Sequence, residues 1–235
     1  MPPAADGSRV LRPSTLDRLA LRCQTARHWP LPAGADSTLP PAAAQALADL
    51  LPVLICGEAS AERAFEHLLL RLESRVDPSL SAALAGVAAD EQRHGDWLDA
   101  LRAALPAPTS DQPGRRALRF LLGLVCDDPA LHLARVAALD AAVCRVLAEV
   151  GAAGRPIAAA PELAQVFRDI RRDEGRHVRI ARRAALALGL DVAVMTRERL
   201  AVTAAFAALL SEQAAAFAAL GVDPARLEQR IARPA

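Results

Sequence analysis

Two five-residue stretches, Asp90-Glu91-Gln92-Arg93-His94 and Asp173-Glu174-Gly175-Arg176-His177, share the pattern Asp-Glu-x-Arg-His and carry Glu-x-x-His inside it. A three-residue step on an α-helix turns through about 300°, so Glu and His one turn apart leave the same face and can grip one metal ion together. The composition predicts roughly 0.2 Glu-x-x-His matches by chance. Two matches with a shared Asp and Arg therefore point to paired metal-ligating cassettes.

Each cassette lies on an apolar stripe of helical period. One stripe reads Leu84, Val87, Glu91, His94, Leu98, Leu101 and Leu105; the other reads Leu163, Phe167, Ile170, Glu174, His177, Ala181, Ala184 and Leu188. Both carboxylates therefore face inward. Stripping a carboxylate of its water is costly unless it is paired, protonated or bound to metal, and metal is the simplest of the three.

Further acids should face the cassettes from other helices. The stripe Leu54, Glu58, Ala61, Phe65, Leu68, Leu72, Val76 is apolar except at Glu58, whereas Glu62, Glu66 and Glu73 share a face that reads as solvated. On the stripe Leu133, Val136, Asp140, Val143, Leu147, Val150 only Asp140 is polar, and Glu149 falls off it. The spacing is 33 residues from Glu58 to Glu91 and 34 from Asp140 to Glu174, so each half reads as an antiparallel hairpin with its ligands at similar depth.

With these residues the chain resembles the ferritin-like di-iron carboxylate superfamily, over roughly residues 52 to 188. That family's four-helix core supplies one carboxylate from each of two helices and Glu-x-x-His from each of the other two. The resemblance implies an all-α, ferritin-like four-helix bundle with additional N- and C-terminal helices. It also implies two iron ions, or manganese, held by Glu58, Glu91, His94, Asp140, Glu174 and His177, with Glu91 and Glu174 bridging. The full Asp-Glu-x-Arg-His form looks most like the oxygen-activating members. There the Asp (here Asp90 and Asp173) hydrogen-bonds a metal-bound imidazole and the Arg (Arg93 and Arg176) ties the Asp down. Asp140 stands where the family has Glu. The implied function is an O₂-dependent di-iron oxidase or oxygenase that hydroxylates, N-oxygenates or desaturates a small organic substrate. Its electrons come from an external donor, such as a redox partner protein, because the chain carries no flavin or nicotinamide fingerprint. Without Tyr it has no tyrosyl-radical store. The competing readings are a ferroxidase, peroxide scavenger or storage subunit, and a metal-free helical interaction protein.

Composition is consistent with one helical domain: 235 residues, 53% hydrophobic and only 12 Gly. The net charge of +1 gives no bulk electrostatic argument for nucleic acid or membrane. The start of the chain lacks the blocks of a signal peptide, and no charge-free apolar run reaches a membrane span, so a cytoplasmic protein is expected, as a homodimer. Cys23, Cys56, Cys126 and Cys144 are scattered and read as reduced core residues.

Punctuation divides the chain into a disordered stretch over 1–13, an N-terminal helix and Pro-rich strap over 14–51, a bundle over 52–220 and a short C-terminal helix and tail over 221–235. Within this frame, helix one is expected to run from about Pro40 to Val76 with a kink at Pro52. Asp77-Pro78 and Asp128-Pro129 read as N-caps followed by Pro at the first helical position. A helical crossover is expected over 115–126, a connection over Gly151 to Pro161, and a fifth helix over roughly 194–220. Gly57, Gly95 and Gly175 flank the candidate ligands, where close helix packing is the first explanation and room for oxygen or substrate the second. Trp97 reads as core, His28, His67 and His132 as surface or satisfied residues, and Arg168, Arg171, Arg172, Arg179, Arg182 and Arg183 as a solvated face.

Overall fold

A computed structural model describes residues 39–72 and 76–233, and among these it is all-helical. The helices are α1 (Pro41–Leu72), α2 (Pro78–Ala104), α3 (Gln112–Leu122), α4 (Pro129–Val150), α5 (Pro156–Ala159), α6 (Pro161–Ala187), α7 (Val192–Ser211), α8 (Ala214–Ala219) and α9 (Pro224–Ala232). The stretch expected to be disordered, the helix after Ser14-Thr15 and nearly all of the Pro-rich strap lie outside the described residues, as do Cys23, His28 and Glu73.

Helix starts follow from local chemistry. Asp77, Asp128, Asp191 and Asp223 each accept hydrogen bonds from the two backbone N–H groups that open α2, α4, α7 and α9. Pro follows three of these caps at the first helical position, where its missing N–H is not needed. The same tolerance shifts the crossover: α3 begins at Gln112, before Pro113 and Gly114, rather than after them. At the end of α6, Gly189 takes φ 91° while Leu190 N–H donates to the Ala185 carbonyl at 3.0 Å, a closure that favours a residue without Cβ.

α1 pairs with α2 and α4 with α6, and the pairs meet where α2 packs on α6. Two apolar clusters fill the interior. One holds Leu47, Leu51, Leu98, Leu147, Phe167 and Phe206; the other holds Phe65, Leu68, Leu84, Leu133 and Ile180. Each of the four long helices contributes to both clusters, and each carries its inward acid at the level between them. By length and composition α1 could cross a membrane, yet half of its most apolar stretch is buried in the molecule, as in a core helix. Around this frame α3 lies on α1, α7 on α4, and α9 on both α7 and α4.

α1 carries Pro52 within it, and its expected end near Val76 is not placed, because residues 73–75 lie outside the described residues. Two further expectations differ, one a helix boundary and one a burial. The expected single helix over 194–220 is broken at Glu212-Gln213 into α7 and α8, and the break goes with burial of Phe217 where α8 meets α1. Glu149, expected off the buried stripe, is only 2% exposed. It pairs with Arg155 at 2.9 Å and with Arg230 of α9, so two guanidinium groups from beyond α4 neutralise it. Glu149→Gln should therefore lower unfolding stability by about 1–3 kcal/mol, because two arginines lose the charge they are packed against. Urea denaturation of the variant checks this, with an unchanged midpoint as the contrary result.

Candidate metal centre

Glu58 from α1, Glu91 and His94 from α2, Asp140 from α4, and Glu174 and His177 from α6 are all buried and converge in the layer between the apolar clusters. They form two groups that could each hold a metal ion. Glu58, Glu91, His94 and Glu174 make one; Asp140, Glu174 and His177 make the other; within each, the donor atoms lie within 4.8 Å of one another. Glu174 belongs to both, with Oε1 3.5 Å from His94 Nδ1 and Oε2 3.8 Å from His177 Nδ1. Glu91 mirrors it, with Oε2 3.8 Å from His94 Nδ1 and Oε1 2.8 Å from His177 Nδ1. Glu58 lies 3.2 Å from His94 Nδ1. The six residues picked out by spacing and stripe thus arrive at one place, two acids between the imidazoles and one acid toward each end.

Outside this ring the two cassettes exchange partners. His94 Nε2 lies 3.4 Å from Asp173, and His177 Nε2 lies 3.2 Å from Asp90. Arg176 donates to both Asp173, at 2.8 Å, and Asp90; Arg93 donates to Asp90 and lies 3.7 Å from Asp173. The sequence leaves open which imidazole each Asp holds. With Nδ1 turned toward the acids, Nε2 projects from the far side of the ring, and the Asp it meets belongs to the other cassette.

The electrostatics follow from burial. It pushes Glu58 and Asp140 well above the usual carboxylate range, helped in both by the neighbouring Glu91 and Glu174 charges. Burial acts on Glu91 in the same direction, but the charge on His177 outweighs it and holds Glu91 far below that range. Burial disfavours the charged imidazoles too, yet Glu58 raises His94 and Glu91 raises His177 well above the ordinary value. Asp90 and Asp173 resist burial and stay low, the first through His177 and Arg176, the second through His94 and Arg176.

This donor set fits two divalent cations. Bound cations would displace the Nδ1 protons of His94 and His177, and four carboxylates facing two imidazoles made neutral in that way would balance two doubly charged ions. Mixed carboxylate and imidazole donors suit iron or manganese. Glu91 Oε1, His177 Nδ1 and Asp140 Oδ2 are buried without a hydrogen-bond partner. Glu91 Oε1 and His177 Nδ1 lie 2.8 Å apart without the alignment of a hydrogen bond, as expected of donors serving a common ion. Cys144 belongs to neither donor group, and burial, with Glu174 and Asp140 nearby, pushes its thiol up to about 12. Cys56, Cys126 and Cys144 are free thiols, each half-buried.

A cavity of about 60 Å³ lies against Glu58, Glu91, Asp140 and Glu174, with Gly57 and Phe120 in its wall. A larger one of about 220 Å³ adjoins it, and the two share Gly57, Ala61, Leu121, Leu139 and Asp140. Close packing does not explain the glycines: a Cβ at Gly57 or Gly175 would meet nothing within 4 Å, and at Gly95 only Glu58 Cβ at 4.0 Å. His132, expected to be satisfied or exposed, is buried with Nδ1 unpartnered, whereas His67 is exposed. Trp97 is buried in the core beside His94, ring centroids 5.7 Å apart. The arginine stripe on α6 is largely exposed. The cavity and His132 carry no sequence signal, because both depend on how α3 and its following loop lie over α1 and α4.

No family model, no curated protein and no solved structure matches the chain. The exchange between cassettes has a consequence on metal loading. Asp90→Asn should weaken the ion next to His177 by about 10–100-fold and spare the one next to His94, while Asp173→Asn should do the reverse. Chelator competition against each singly weakened variant measures this; loss on the side of the variant's own cassette would contradict it.

Proposed function

We propose that the chain is an oxygen-activating non-haem di-iron enzyme of the ferritin-like superfamily, with α1, α2, α4 and α6 as its four-helix core. The carrying observation is that Glu91 and Glu174 each present one oxygen toward His94 and the other toward His177. In this reading Glu58 and His94 would hold one iron, Asp140 and His177 the other, and Glu91 and Glu174 would span both. Iron bound there would supply the electrons that reduce O₂ and the oxidising power directed at a substrate carbon or nitrogen.

The residues of the chain do the positioning. Asp173 and Asp90 accept the Nε2 protons of His94 and His177, which fixes each ring as the tautomer whose Nδ1 lone pair is free for metal. The paired guanidinium groups hold those Asp residues charged. The apolar clusters above and below keep bulk water from the carboxylates, and the cavities along Gly57 offer a small organic molecule a place beside them. Asp140, one methylene shorter than the Glu of the family, lines both cavities, so its short arm leaves space on the side a substrate would use. That apolar access favours an oxygenase or oxidase over iron storage; a metal-free bundle leaves the orphaned donors without a purpose. The reading includes an external electron donor, a cytoplasmic homodimer, manganese as the alternative metal and no membrane partner, and the net charge of +1 gives no argument for nucleic acid.

Anaerobic titration with Fe²⁺ should saturate near two irons per chain, and His94→Ala or His177→Ala should lose one or both. Under O₂ with excess Fe²⁺, oxidation should stop near one event per site. Turnover of hundreds of irons into a large particle would establish storage instead. Asp140→Asn should weaken one iron and Asp140→Glu restore it, with helical content by circular dichroism unchanged in both. A silent Asp140→Asn would remove Asp140 from the ligand set.

A further inference from the structure

The larger cavity runs between α1 and α4 under α3 and the loop after it, and its two ends differ. Leu118, Leu121, Leu122, Val136 and Leu139 make most of its wall apolar. At one end stands Asp140 of the candidate metal centre; elsewhere the wall holds Arg63, His67 and His132, and among the described residues Asp140 is its only carboxylate. Arg63 and His67 are exposed to solvent, and Arg63 has no ion-pair partner among the described residues, so its guanidinium is available to a ligand, unlike that of Arg135, which is held by Glu198 at 2.8 Å. His132 is 3% exposed, and its Nδ1 makes no hydrogen bond. A polar atom in that state is costly to keep, which asks for a partner the protein chain does not supply.

We propose that this cavity binds a small amphiphilic monocarboxylate, its carboxylate between Arg63, His67 and His132 and its apolar body under α3 with the far end toward Glu58, Glu91, Asp140 and Glu174. This rests on the reading of the centre as an oxygen-activating site. One permanent cation with imidazole donors matches a single negative charge better than a doubly charged phosphate. Burial, with His67, Arg135 and Arg71 nearby, lowers the pKa of His132, so its ring is neutral at neutral pH and can donate one hydrogen bond without adding charge. Gly57 completes the case. It sits inside α1, where Gly is unfavourable, no neighbour demands it, and a side chain there would enter the space shared by both cavities. The volume of about 220 Å³ lies below that of sites for drug-sized ligands, so the ligand is a short chain or a single ring.

Calorimetric titration of the iron-loaded chain under anaerobic conditions, with octanoate, octan-1-ol and octyl phosphate as probes, tests this. Octanoate should bind about tenfold or more tightly than either of the others. Arg63→Gln and His132→Leu should each remove most of that preference and leave octanol affinity unchanged. Gly57→Leu should block all three, with iron content and circular dichroism unchanged; if that variant fails to fold, Gly57→Ala should still weaken all three. Equal binding of octanoate and octanol, no binding, or preference for octyl phosphate overturns the assignment. So does octanoate binding that ignores Arg63→Gln but vanishes when iron is removed, since the carboxylate would then sit on the metal. Iron stoichiometry of the same preparation separates the two failures: two irons per chain without octanoate preference sinks only the ligand class, and octanoate preference without iron sinks only the di-iron reading.

Discussion

Four carboxylates brought into one apolar interior repel one another and have lost their water, and the surrounding structure follows from how that charge is balanced. Glu91 stays ionised because His177 stands beside it, whereas Glu58 and Asp140, with less compensation, are driven toward their neutral forms. The imidazoles in turn take up charge only because the acids face them. Nothing in this layer is neutral by its own chemistry, so each group depends on the placement of the others. Such a layer is unfavourable as packing, and its donor atoms are grouped so that they could hold metal ions.

The outer ring of Asp90, Asp173, Arg93 and Arg176 makes that placement rigid. Because each Asp holds the imidazole of the other cassette and Arg176 holds both Asp residues, α2 and α6 are joined by a closed circuit of charge-assisted hydrogen bonds. The circuit fixes the separation of the two Glu-x-x-His faces independently of any ion. The apolar clusters on either side fix it again through packing of Leu84, Leu98, Phe167 and Ile180.

What could be read from sequence was what local geometry determines. Glu91 with His94, and Glu174 with His177, are one helical turn apart, so their shared face needed no tertiary information. Glu58 and Asp140 were legible because each interrupts an otherwise apolar stripe, and helix starts at Asp77 and Asp128 because a cap is a contact within three residues. The exchange of Asp90 and Asp173 between imidazoles was not legible, since it depends on ring orientation across α2 and α6. Nor was the burial of His132, which α4 shares with a wall built from α1 and the loop after α3.

Glu149 and Asp140 show why burial alone is a weak guide to function. They lie on the same helix, both are almost fully enclosed, and both are acids in apolar surroundings. Glu149 is answered from outside the bundle, by Arg155 in the connection and Arg230 on α9, and the result is a fastening between chain segments. Among the described residues Asp140 has no arginine partner; its nearest charges are other acids and His177, one of its oxygens lacks a partner, and it opens on two cavities. An acid that meets fixed cations is finished as structure, while an acid that meets more acids and empty volume needs something the chain does not contain. A related contrast separates Arg135, closed by Glu198, from Arg63, which is exposed beside the larger cavity and has no ion-pair partner among the described residues.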